Sequence, residues 1–292
     1  MKAQTLVSLR RVDGWLLSAA LLVSAALTGC QSPYQALQVL ANQHGGQAQI
    51  LPTQPFPLAL GSSVQRFTAS RIRVYLEGDG HAWATASQPS LDPSPRHLLV
   101  AQLALSDPTP SLYLARPCQY VTTPDCNPYV WTDRRFSEEV VVSLEQALDM
   151  IKVRFANRDF ELVGYSGGGA LALVLAARRD DIALVQTLAG NLSPGQWAKL
   201  HHLSPLVDSL DPLDYRARLA QIPQRHLLGA NDRIVPPILL LNYRNRLGEV
   251  RCLESVVLKE TTHSDGWAEA WPLWRERPLD CHRPLSTTIE SK

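Results

Sequence analysis

Polar and apolar positions along this 292-residue chain follow two alternating rhythms. Ser70-Arg71-Ile72-Arg73-Val74-Tyr75-Leu76-Glu77 alternates polar with β-branched or aromatic residues, the period of two that a strand requires. Phe160-Glu161-Leu162-Val163, His226-Leu227-Leu228-Gly229 and Leu253-Glu254-Ser255-Val256-Val257-Leu258 also read as strands, and Ile182 to Leu188 is nearly unbroken in its apolar character. Unbroken runs of that length belong to strands covered on both faces, as in parallel sheets. Between them the period lengthens. Ser137-Glu138-Glu139 places a capping residue and then acids at the positive end of a helix, and Val141, Leu144, Leu148, Ile151 and Phe155 recur behind it at helical spacing. Leu171 to Arg178, Ile238 to Leu247 and Trp267 to Trp274 read as further helices. Strands alternating with helices imply right-handed crossovers and an α/β fold, with a mostly parallel central sheet and helices on both faces.

Four stretches fall outside this rhythm. Residues 31–66 are polar and punctuated by Gly45-Gly46, Pro52, Pro55 and Pro57, which predicts a tether and one poorly formed first strand. His97 to Ala101 is an apolar run between proline-marked loops. Residues 116–135 hold no sustained period and read as irregular surface structure. Residues 191–223, with Trp197, His201, His202, Asp208, Asp211 and Asp214, lack strand character and read as a small helical, lid-like excursion. The main domain is thus expected over 67–292.

The N-terminus has a different pattern. Lys2, Arg10 and Arg11 precede an uncharged apolar run from Trp15 to Leu27, a signal-peptide layout shorter than the about 20 residues that a membrane span needs. Its ending, Leu27-Thr28-Gly29-Cys30, resembles the lipobox of bacterial lipoproteins. That resemblance implies cleavage of residues 1–29, lipidation of Cys30, and a protein anchored to membrane in the bacterial cell envelope, facing the periplasm or exterior.

The other four cysteines are an even number, which suits two disulfides in an oxidising compartment. Four cysteines allow three pairings. The closeness of Cys118 to Cys126, across a stretch rich in Pro, Thr, Asp and Asn, favours a local bridge there and a second from Cys252 to Cys281 that ties the tail to the body. No pair of residues has the short Cys-x2-Cys or His-x3-His spacing of a zinc site, so no metal is expected. At 45% hydrophobic and 19% charged residues the chain has enough apolar material for one sizeable core. A formal net charge of +1 removes any electrostatic reason to expect nucleic acid as a partner.

The candidate chemistry centres on Gly164-Tyr165-Ser166-Gly167-Gly168-Gly169. A serine hydroxyl attacks a carbonyl only when a base takes its proton and donors await the oxyanion. G-x-S-x-G meets both needs with a tight strand-to-helix turn that projects the hydroxyl and faces a helix N-terminus toward the developing charge. By composition alone the motif arises in roughly one chain of this length in ten. Its position after a strand and before a helix gives it weight. The acid and histidine should then follow in that order, each just past a later strand. Asp232, in Gly229-Ala230-Asn231-Asp232-Arg233-Ile234-Val235-Pro236, and His263, in Thr262-His263-Ser264, stand at those places. Asp208, Asp211 and Asp214 are rival acids without a preceding strand. His201, His202 and His226 are rival bases, and His226 falls within a strand.

The first oxyanion donor is the N–H of Gly167. A second should come from the turn Glu77-Gly78-Asp79-Gly80-His81, where Asp79 is the candidate; Glu77 stands where a histidine is usual, which leaves the second donor open. An Asp79 side chain aimed into the hole would oppose an oxyanion, so it should turn away or be paired.

In the order Gly78-Asp79, Ser166, Asp232, His263 the chain resembles the α/β-hydrolase superfamily. The resemblance implies that fold, no metal or organic cofactor, and hydrolysis of a small-molecule or acyl substrate, an ester, thioester or amide, through an acyl-Ser166 intermediate. A peptidase on the same scaffold is the nearest alternative. From a different class, the fold could serve as a non-catalytic binding module of the envelope.

Overall fold

The computed structural model describes residues 31–63 and 68–281, so the signal-peptide and Cys30 readings lie outside the described residues. Eight strands are described: β1 Gln47–Leu51, β2 Leu58–Ser62, β3 Arg71–Leu76, β4 Ser111–Leu114, β5 Asp159–Tyr165, β6 Ile182–Leu188, β7 Gln224–Gly229 and β8 Leu253–Leu258. They form one sheet in the order β1-β2-β4-β3-β5-β6-β7-β8. β2 runs antiparallel to both neighbours, β1 and β4, and every later pairing is parallel. Among the described residues the α-helices are α1 Pro33–Gln43, α2 Leu99–Leu105, α3 Pro128–Trp131, α4 Glu138–Phe155, α5 Gly167–Arg178, α6 Pro194–Leu200, α7 Arg216–Leu219, α8 Ile238–Leu247 and α9 Trp267–Trp274.

Strand alternation sorts the core into two layers. Ile72, Val74, Leu76, Leu112, Leu114, Phe160 and Leu162 share one apolar cluster with α4, α5, α7 and α8. Tyr75, Tyr113, Val163, Leu227 and Val256 share the other with α1, α2 and α9. Helix α5 is buried along Gly167–Ala176, which explains why it carries no polar stripe: a helix apolar all round is one covered all round. The helix predicted behind Ser137 forms as α4, although the Ser137 hydroxyl makes no cap bond.

Three of the stretches outside the rhythm gain definite structure. Residues 31–66 do not form a tether with a single weak strand, because α1 and the antiparallel pair β1 and β2 occupy most of them. The apolar run His97 to Ala101 leads into helix α2, which it enters at Leu99. The region 116–135 is irregular and at least partly exposed over 120–129 but interior toward both ends, with Arg116, Gln119, Trp131, Thr132 and Arg135 all buried. Short strands such as the four-residue β4 gain their stability from neighbours on the sheet rather than from local pattern. Within 191–223 stand α6, a 3-10 turn at Pro212–Tyr215 and α7, joined by irregular chain.

A polar ladder crosses the α9 side of the sheet. Arg73 on β3 donates from Nε to Glu161 on β5 at 2.8 Å, and Gln186 on β6 donates to the same carboxylate at 2.6 Å. Arg225 on β7 donates to Gln186 at 2.9 Å and to Glu254 on β8 at 2.8 Å. The segment after α9 closes the ladder with backbone carbonyls: Trp274, Arg277 and Pro278 accept from Arg225, and Arg275 accepts from Arg73. The Cys252–Cys281 disulfide holds the end of this segment beside β8, and Cys118–Cys126 closes the small loop.

Candidate active site

Ser166 follows β5 directly and serves as the N-cap of α5 with φ 50° and ψ −122°. A non-glycine residue in that region is strained and persists only where its surroundings hold it. Here the Ser166 N–H donates to Leu188 O at 3.0 Å, while its carbonyl accepts from Gly169 N at 3.0 Å and Asn191 N at 2.8 Å. The motif glycines allow the turn to close. A Cβ on Gly164 would come within 2.4 Å of Gly168 O, and one on Gly167 within 2.0 Å of Asp79 Oδ1.

Asp232 and His263 lie beyond the ends of β7 and β8, and the fold brings both to Ser166. His263 Nε2 is 2.9 Å from Ser166 Oγ, and His263 Nδ1 is 2.9 Å from Asp232 Oδ2. The carboxylate can only accept, so Nδ1 carries the proton toward Asp232 and Nε2 is free to accept the serine hydroxyl hydrogen. Asp232 is itself fixed, its Oδ1 accepting from Ile234 N and Val235 N at 2.8 Å each. The His263 carbonyl accepts from Tyr165 Oη at 2.8 Å and from Trp267 Nε1 at 3.0 Å. Those two donors come from the residue preceding the serine and from the first turn of α9. Neither was singled out from sequence, though Tyr165 lies inside the motif.

The rival groups have other partners. His226 is fully buried in β7, its ring 2.8 Å from Thr187 Oγ1 and 3.0 Å from Gln224 Oε1, and burial pushes its pKa down to about 3. His201 Nε2 meets Ile234 O at 2.8 Å, which fastens α6 to the loop carrying Asp232 together with the Trp197 indole, also 2.8 Å from Ile234 O. His202 is exposed. Asp211 caps the 3-10 turn through Leu213 N, and Asp208 and Asp214 are exposed.

At the turn after β3, Gly78 lies against Ser166, since a Cβ there would stand 3.2 Å from Ser166 Cβ. The Asp79 carboxylate is paired with Arg116 and, at 3.0 Å, with Arg135. Burial raises its pKa, but Arg135 and Arg116 outweigh that and hold it below the usual range. An ionised Asp79 thus has its field offset by two guanidinium groups. Arg116 and Arg135 are 5% and 3% exposed, and both stack on Phe136. Sequence gave no sign of them, because they lie in a stretch without period and their contacts are long-range. Glu77 is also buried, receives Gly78 N at 2.8 Å and Tyr113 Oη at 2.9 Å, and burial pushes its pKa up to about 7 against those donors and Arg116.

The N–H of Gly167 opens α5 and so has no partner within the helix. An open cleft of about 630 Å³ borders the site, with Asn231, Arg233, Ile234, His263, Ser264 and Asp265 among its walls. Among the described residues no group of three or more His, Cys, Asp or Glu is arranged to hold a metal.

No family model matches the chain, and no curated protein matches it by sequence. Solved structures do. An esterase of Pyrococcus furiosus aligns with TM-score 0.58 and 11% identity over 85% of this chain and 92% of its own. Est1E of Butyrivibrio proteoclasticus aligns with TM-score 0.52 and 15% identity over 76% and 93%. A puromycin-hydrolyzing peptidase of Mycobacterium tuberculosis aligns with TM-score 0.50 and 16% identity over 75% of this chain and 36% of its own. The chain has the α/β-hydrolase fold. At these identities the likeness extends to the fold alone, and one fold hosts many functions.

Proposed function

We propose that the protein is a serine hydrolase that cleaves an ester, thioester or amide through an acyl-Ser166 intermediate. The observation that carries this reading is the pair of 2.9 Å contacts linking Ser166 Oγ to His263 Nε2 and His263 Nδ1 to Asp232 Oδ2. A nucleophile, a base and a group that orients the base are all within hydrogen-bond reach.

Ser166 Oγ attacks the substrate carbonyl carbon as its proton passes to His263 Nε2. Asp232 keeps the ring oriented and stabilises the imidazolium that forms. Charge moves onto the carbonyl oxygen, where the Gly167 and Asp79 N–H groups and the N-terminus of α5 are its stabilisers. Collapse of the tetrahedral intermediate expels the alcohol, thiol or amine, which takes the proton from His263. Water then attacks the acyl carbon, gives a proton to His263, and releases the acid with Ser166 regenerated.

A fluorophosphonate probe tests the reading. The wild-type protein with disulfides intact should label at Ser166, and Ser166→Ala should abolish the label. No labelling of wild type would refute it. Fold neighbours that include esterases and a peptidase leave the leaving group open, and a panel of p-nitrophenyl esters beside aminoacyl amides ranks the classes. The lipobox-like Leu27-Thr28-Gly29-Cys30 supports lipid anchoring at Cys30 in the bacterial cell envelope. Cys30→Ala should move the protein out of the detergent phase on partitioning, and its retention there would overturn the anchor.

A further inference from the structure

Gln119 sits between Cys118 and Tyr120, whose φ angles are 65° and 66°, in the loop that the Cys118–Cys126 disulfide closes. Glutamine is ordinarily a surface residue, yet this one is 2% exposed. Both ends of its amide meet backbone. Oε1 accepts from Arg116 N at 3.0 Å, and Nε2 donates to Gly78 O at 3.1 Å. A backbone N–H only donates and a backbone carbonyl only accepts, so these partners fix which end of the amide is which.

Gly78 O belongs to the Gly78–Asp79 peptide. In a trans peptide C=O and N–H point in opposite directions, so a carbonyl tied to Gln119 turns the Asp79 N–H away from the disulfide loop. The nucleophile and the start of α5 stand against this turn: Gly78 lies against Ser166, and the Asp79 carboxylate lies against Gly167. The remaining handles are held as well, Gly78 N by Glu77 and the Asp79 carboxylate by Arg116 and Arg135.

We propose that Gln119 is a positioning residue for the hydrolytic reaction: by pinning the Gly78 carbonyl it aims the Asp79 N–H at the oxyanion formed during attack by Ser166. This rests on the serine-hydrolase reading above. The disulfide loop then serves the site directly, by presenting an amide that neither a strand nor a helix of the sheet supplies.

Gln119→Met and Gln119→Glu test it, one without charge and one keeping an acceptor for Arg116 N; both fill the space and remove the donor. The adjoining void is about 10 Å³, at the lower limit for a single water, so it admits at most one water in place of the lost amide. Rates are taken per active site titrated with fluorophosphonate, which removes any unfolded fraction. Both variants should lose about 30- to 100-fold in kcat on p-nitrophenyl butyrate, with KM changed less than about 3-fold. Affinity for a trifluoromethyl ketone transition-state analogue should fall by the same factor as kcat/KM. A kcat within about 3-fold of wild type in both variants overturns the proposal, as does a loss of kcat with analogue affinity unchanged. If wild type neither labels nor turns over, the serine-hydrolase reading falls and this inference with it.

Discussion

Strands β5, β7 and β8 carry polar chemistry at two heights. Within the strands, Glu161, Arg225 and Glu254 belong to the ladder that crosses the sheet; just past the strand ends stand Ser166, Asp232 and His263. Both sets are buried or nearly so, and both are linked by hydrogen bonds of 2.6 to 2.9 Å. What separates them is how their partners are supplied. Arg225 donates to two side chains and three backbone carbonyls, which leaves nothing for an incoming molecule. The upper chain ends in a hydroxyl on a strained turn, and its other two members, Asp232 and His263, line an open cleft. Burial and charge therefore do not by themselves make a reactive site. A saturated network contributes specificity and rigidity, whereas a chain with one free end can move a proton.

The comparison can be broken most sharply at Asp232. Asp232→Asn keeps an acceptor for Ile234 N and Val235 N but no longer enforces the useful tautomer, so kcat should fall by about 10⁴-fold with the melting temperature little changed. Equal turnover would remove Asp232 from the mechanism. The ladder should respond in the opposite sense. Arg225→Met leaves Glu254 buried beside an apolar chain and strands several carbonyls, lowering unfolding free energy by about 3–5 kcal/mol in urea titration, while kcat per folded molecule holds. A loss of kcat in the folded variant would mean that the two heights are coupled.

Glu77 bridges the two behaviours, since it is buried like the ladder and touches the turn beside Ser166. Its pKa rises from 4.5 to about 7, so its protonated form is the one the fold favours. The associated stability is fully present below about pH 4.5 and is lost as pH rises through about 7, on the order of 3 kcal/mol. Unfolding measured between pH 5 and 8 should show that decline, and Glu77→Gln should flatten it; an unchanged slope would place the titrating group elsewhere. The smallest expected effect is at Tyr165. Tyr165→Phe removes one of two donors to the His263 carbonyl, about 1 kcal/mol, so kcat should fall about 5-fold with Trp267 still in place. A loss of 100-fold or more would show that Trp267 alone does not hold the loop.

Much of the site was legible because the fold's chemistry is written in local signals. The strand-turn-helix context of Ser166 and the strand ends before Asp232 and His263 depend on short-range periodicity and glycine placement, and the structure brings those three side chains together. The groups around Asp79 were not legible. Arg116, Gln119 and Arg135 lie in a stretch with no period, and each gains its partner through contacts with residues 78–79 that are close only after folding. The same applies to β1, β2 and β4, short strands whose stability comes from pairing with the sheet.

By itself, then, the sequence determined the alternation of strands and helices, the positions of Ser166, Asp232 and His263 at strand ends, and the even cysteine count, because period, turn chemistry and chain order are local properties. Tertiary structure alone decided that His263 reaches both of its partners at 2.9 Å and that Asp79 is paired by two arginines. It also decided that Arg225 is closed off by the chain's own carbonyls and that Gln119 reaches Gly78. These are distances between residues tens of positions apart, fixed by how layers pack across the sheet rather than by any local preference.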